Sequence, residues 1–163
     1  MRKLAFFAPL AATLAFAGAA LAEPASINVT LGAELQRKSG ELGEREVQQQ
    51  IDRLAEVVGA ALADDADLHG ARVDLVLTDL KPNRPTMEQM NQRPGLDGIR
   101  SVSIGGAAIE GRITLADGSV QPVRYDWFTT NLADVRGYTT WQDANRAYSR
   151  LARNLADGRY ETR

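Results

Sequence analysis

The chain has 163 residues, a formal net charge of −2, one histidine and no cysteine. That length suits one domain with a true core. The missing cysteines exclude disulfides, thiolate catalysis and thiolate metal sites, the lone histidine excludes paired-histidine chemistry, and the mild acidic excess disfavours nucleic acid or an anionic membrane as partner.

Arg2 and Lys3 precede an apolar run over residues 4–21, and Ala20, Leu21 and Ala22 form an A-x-A cleavage site before Glu23. The run is interrupted by Pro9 and Gly18 and is built largely of alanine, which suits a signal peptide removed after Ala22 better than a retained span. The expectation is a periplasmic or secreted protein with no membrane span after processing and one mature domain, 23–163. That domain holds 17 basic against 21 acidic residues, a net charge of −4.

Ile27, Val29 and Leu31 alternate with polar residues, the period of a half-buried strand. A polar connection with three glycines follows between Gly32 and Gly43. Val47, Ile51, Leu54, Val58 and Leu62 then recur at helical spacing and predict a helix over 44–63. After an aspartate-rich turn ending at Gly70, the alternation of Val73, Leu75 and Leu77 predicts a second strand over 72–80. A strand, a crossover helix and a second strand of these lengths form a parallel unit.

Residues 81–98 are too rich in proline for a regular element throughout, with Pro82, Pro85 and Pro94, although 86–91 can form one helical turn carrying Met87 and Met90 on one face. Beyond it, Val102 and Ile104 occupy even positions and Ile109, Ile113 and Leu115 odd ones. A bulge at Gly105-Gly106 would absorb that slip within a bent third strand. Val123, Tyr125 and Trp127 are again odd and belong to a fourth strand. A three-residue loop of Ala116, Asp117 and Gly118 pairs Ile109 with Tyr125 and Glu110 with Arg124, keeping the apolar faces together. Thr140 and Asp143 resemble a capping box opening a final helix, whose stripe is Trp141, Ala144, Tyr148, Leu151 and Leu155 and whose stop is Gly158. Every aromatic residue of the mature chain falls at Tyr125 or later, so this helix should lie over the fourth strand. The predicted fold is a two-layer α/β (α+β) domain, a small mixed sheet of about four strands in the order β-α-β-β-β-α with both helices on one face.

Chemistry-bearing patterns are sparse. Asp65-x-Asp67-x-His69-Gly70 begins like a calcium loop, but Val76 stands where the bidentate glutamate belongs. No nucleophile elbow accompanies His69, and the glycine-rich phosphate and dinucleotide patterns are absent. Glu110 and Asp126 share a hairpin face with Arg112 and Arg124, a pattern of pairing rather than glycoside hydrolysis. No catalytic residue, metal ligand or cofactor is assigned. The proline-rich connection is the candidate contact surface, with Arg84, Met87, Met90 and Arg93 as its binding residues and Arg100 nearby, because long connections carry function and arginine and methionine are enriched in interfaces.

The order of elements, with the hairpin sequence Ile113-Thr114-Leu115-Ala116-Asp117-Gly118, resembles small exported proteins and lipoproteins of Gram-negative bacteria whose roles are uncharacterised. Proteins of similar layout, such as activators of cell-wall synthases and the amino-terminal domain of the Tol-system translocation protein, serve as envelope adaptors. This chain lacks the lipidated cysteine of the anchored ones, and no functional residue carries over from a likeness of layout. The expectation is a non-enzymatic envelope interaction module whose partner is another envelope protein. A periplasmic carrier of a small apolar ligand, held beneath Trp127 and Trp141, is the alternative, and a hydrolase the third reading.

Overall fold

Each strand places one apolar row on the same side of a sheet, and that shared side decides the architecture. The structure is a computed structural model describing residues 25–63, 65–137 and 139–162; the expected leader lies outside them. β1 (Ser26–Leu31) is followed by helices α1 (Ala33–Leu42) and α2 (Glu44–Leu62), then β2 (Arg72–Lys81), the short α3 (Met87–Gln92), β3 (Gly106–Thr114), β4 (Val120–Phe128), α4 (Gln142–Ala156) and a two-residue β5 (Glu161–Thr162). β1 pairs parallel with β2, β2 antiparallel with β3, and β3 antiparallel with β4; β5 joins β4 in parallel. The sheet order is therefore the chain order, and the fold is the expected two-layer α+β arrangement around a mixed sheet.

The core forms where Val73, Leu75, Leu77, Ile109, Ile113 and Tyr125 of the sheet meet α2 and α4, which bury Leu54, Val58, Tyr148 and Leu151 against them. α4 lies across β3 and β4, and α2 packs on β1 and on α4. The other sheet face is polar and pairs its charges laterally, with Arg72 3.0 Å from Asp74 and Arg124 3.5 Å from Glu110. Burial works against the Asp74 carboxylate, but hydrogen bonds from Arg72 and Asn28 outweigh it and hold its pKa below the usual value.

The hairpin has the expected register. Ile109 stands opposite Tyr125 and Glu110 opposite Arg124, and Leu115 pairs with Ser119 around Ala116, Asp117 and Gly118. Gly118 has φ +84°, the left-handed conformation that closes such a loop.

Three expectations are corrected. The polar connection before α2 is the helix α1, whose buried residues Leu35 and Leu42 lie seven apart, too sparse a pair to register as a stripe. The bulge lies in β2 rather than at Gly105-Gly106: register shifts between Leu77 and Asp79, so Leu77 and Leu80 both reach the core from positions of opposite parity. Val102 and Ile104 stand outside β3 and are exposed. The glycine pair answers close packing instead, since a Cβ on Gly105 would sit 2.6 Å from the Asn83 side chain and one on Gly106, at φ +149°, 2.2 Å from Trp127 O. Finally, Trp141 occupies the α4 N-cap position with no side-chain cap bond, and Asp143 is turned inward. The amide N–H of Asp143 donates instead to Asn83 Oδ1 at 2.9 Å, so a residue sixty positions away does the capping.

Candidate binding site

The connection between β2 and β3 is long and irregular, so side chains must fix what backbone ladders do not. Asn83 enters the interior and donates through Nδ2 to Asp143 Oδ2 at 2.6 Å, the same oxygen that accepts from Thr129 Oγ1 at 2.6 Å. Arg146 Nη1 donates to the other oxygen at 3.1 Å. Asp143 is 0% exposed, and this network joins the connection, the end of β4 and the start of α4. Thr86 and Gln89 form a reciprocal capping box on α3, each accepting a backbone N–H of the other at 3.1 Å. Asp97 accepts from the N–H groups of Arg100 and Ile99 at 2.7 and 2.8 Å, and these bonds hold its carboxyl below the ordinary aspartate range.

The four residues expected to form the contact surface do not stand together. Arg84 is only 8% exposed; its guanidinium donates to the carbonyls of Ile99 and, at 3.3 Å, Gly137, so it holds the connection in shape from within. Met87 is 65% exposed and Met90 half-buried on α3, while Arg93 is exposed just after it. Two residues enter the surface that the sequence reading placed elsewhere or passed over: Val102 and Ile104, with Ile99, itself 75% exposed, between them and α3 in the chain. Four of the six large apolar residues exposed in the described chain therefore lie in this one segment. Pro82, Pro85, Leu96, Val102 and Ile104 line a groove of about 330 Å³ there, with Lys81 and Arg93 beside it.

On the helical side, a larger cleft of about 730 Å³ opens between α2, α3 and the start of α4. Met87, Met90 and Trp141 give it apolar walls, and Glu46 accepts from Trp141 Nε1 at 3.1 Å and from the Met87 N–H at 3.0 Å, tying three elements together. Gln50 and Asn145 also line it, and neither Gln50 Oε1 nor Asn145 Oδ1, both buried, has a hydrogen-bond partner. Gln50 is 6% exposed. The Tyr148 hydroxyl, one turn along α4 from Asn145, is unpaired as well, and burial pushes its pKa upward, so it stays protonated. Of the two tryptophans only Trp141 lines this cleft; Trp127 lies under the Arg150 guanidinium, 4.4 Å from its ring centre.

Gln50 did leave a trace in the sequence. It sits three residues after Val47 and four before Leu54, a polar amide on the buried stripe of α2. His69 is half-buried in the turn before β2, and Glu110 is engaged by Arg124. Among the described residues no group of three His, Cys, Asp or Glu is placed to hold a metal ion, and no helix is long and apolar enough to cross a membrane. No protein-family model matches the chain, and no curated protein matches it.

Proposed function

We propose that the chain is a non-enzymatic interaction module of the bacterial envelope, working after removal of its leader, and that it docks another envelope protein on the face built by residues 82–105. The observation that carries this reading is the pairing of exposure with rigidity. Met87, Ile99, Val102 and Ile104 are exposed on a segment pinned from beneath by Asn83, Arg84 and the Thr86–Gln89 box. Presenting apolar side chains on an already ordered segment reduces the entropy lost on binding, which is how a contact surface differs from a mobile loop. The sequence supports the compartment through residues 1–22 and the adaptor role through layout.

The test is capture from envelope extracts followed by mass spectrometry, comparing the wild-type chain with a Met87→Ser, Ile99→Ser, Arg93→Ser variant. Arg84 is left intact because it holds the loop. Loss of a specifically captured protein with an unchanged melting temperature is the expected result; equal capture by the variant contradicts it.

A further inference from the structure

The two edges of the sheet are finished differently. β4, at one edge, carries Pro122, Arg124 and Asp126 and is joined by β5, devices that keep a further strand from pairing. β1, at the other, reads Ser26, Ile27, Asn28, Val29, Thr30, Leu31, with neither proline nor charge. The N–H groups of Ser26 and Gly32 donate to the carbonyls of Ala71 and Leu77 at 2.9 Å, so in this parallel ladder the even-numbered residues face β2. Ile27, Val29 and Leu31 therefore turn their N–H and C=O groups away from the sheet. Their side chains lie on the core side yet stay half-buried, whereas Val73, Leu75 and Leu77 beside them on β2 are at most 1% exposed. α1, which follows, packs against the far end of β2 rather than alongside β1.

The helix above this edge restricts the occupant. A Cβ on Gly59 of α2 would stand 3.7 Å from Ile27 Cγ1, and Ala55 and Ile51, both half-buried, lie one and two turns earlier on that helix face. Asp52 and Glu44 continue the face outward; both are exposed, and neither has an ion-pair partner among the described residues. Open main-chain groups call for an extended chain, the half-buried row for apolar side chains at every second position, and the carboxylates for a cation. A second copy of this chain fits poorly. Antiparallel pairing of two β1 strands would set them about 4.8 Å apart with both helix layers on one face, and α2, which packs on β1, would meet its own copy well inside the 8–10 Å that packed helices need. We propose that the open edge of β1 takes an extended strand of a partner protein, with alternate apolar side chains beside Ile27, Val29 and Leu31 and a lysine or arginine reaching Asp52 or Glu44. The site is apart from residues 82–105 and stands without the reading given to them.

The test is amide hydrogen exchange of the exported full chain by NMR, alone and with a nine-residue peptide of alternating threonine and valine whose two ends are lysine on the valine face. Alone, the amides of Asn28 and Thr30 should be protected and those of Ile27, Val29 and Leu31 should exchange freely; the peptide should then protect all five. Val29→Pro removes an N–H that makes no bond to β2, so it should leave Asn28 and Thr30 protected and abolish peptide binding. Glu44→Gln with Asp52→Asn, two exposed changes that keep the test open if the proline variant does not fold, should weaken the lysine-flanked peptide about tenfold and leave a glutamine-flanked one unchanged. Protection of Ile27, Val29 and Leu31 without peptide overturns the proposal, because the edge is then already covered by this chain's own residues or, where protection rises with concentration, by a second copy. So does the absence of protection with the peptide, equal binding of lysine- and glutamate-flanked peptides, or unchanged binding to a folded Val29→Pro.

Discussion

Two polar clusters lie against the first turns of α4, and they are built in opposite ways. In one, Asn83, Thr129 and Asp143 are buried and mutually bonded at 2.6 to 2.9 Å. In the other, Gln50 and Asn145 present buried acceptors that nothing in the described chain satisfies. A buried polar group left without a partner destabilises a protein by about 1–3 kcal/mol, while a fully bonded one fixes geometry at little net cost. The first cluster is architecture, the joint that sets the connection onto the helix. The second lies beside a cleft between the same elements, and its two acceptor oxygens stay unmet within the fold. Burial alone therefore does not tell whether a polar residue holds the fold together; satisfaction does.

The contrast can be broken most severely at the closed cluster. Asn83→Ala removes the cap of α4 and a donor to the buried Asp143 carboxylate, and should lower unfolding free energy by about 2–4 kcal/mol, read from urea denaturation. Gly105→Ala attacks the same joint from the other side, because the new Cβ would fall 2.6 Å from Asn83; a loss of about 1–3 kcal/mol is expected. Combined with Asn83→Ala it should cost less than the sum, since the smaller side chain vacates the space the methyl needs. Additive losses would show that Gly105 serves something other than Asn83.

The smallest expected effect concerns the loop that displays Ile99. The folded-state pKa of Asp97 is lowered by its two backbone donors, so its contribution is fully present above the unfolded pKa of about 4 and is lost as pH falls through the folded value. Amide exchange at Ile99 and Arg100, corrected for intrinsic pH dependence, should lose protection below about pH 4 while the Asn83 cluster keeps its own. Simultaneous loss at both places would mean that the connection opens as one unit.

Much of the frame was legible in the residues. Period-two alternation located β1, β2 and β4, and the parity of Ile109 and Tyr125 with the charges of Glu110 and Arg124 selected the hairpin register, because a one-residue slip would have set Glu110 against Tyr125 and mixed the two faces. Parity does not place the bulge, because Val102 and Ile104 are exposed rather than in the core and the slip is taken up at Thr78 on the neighbouring strand. Such a choice depends on which strand bends, and neither strand's own sequence states it. Arg84 stands out in the sequence as a contact residue because arginine is enriched in interfaces; its burial follows from the carbonyls of Ile99 and Gly137, which only folding brings to it. The cleft was harder still, being assembled from three elements far apart in the chain, and its one local sign was an amide on the inner stripe of α2.

The most direct test of the distinction between closed and open clusters is urea denaturation of Gln50→Leu. If Gln50 is an unsatisfied buried amide, a leucine of similar volume on the same stripe should raise unfolding free energy by about 1 kcal/mol. A fall of about 2 kcal/mol or more would show that Gln50 is bonded within the fold, and would place it beside Asn83 as part of the architecture.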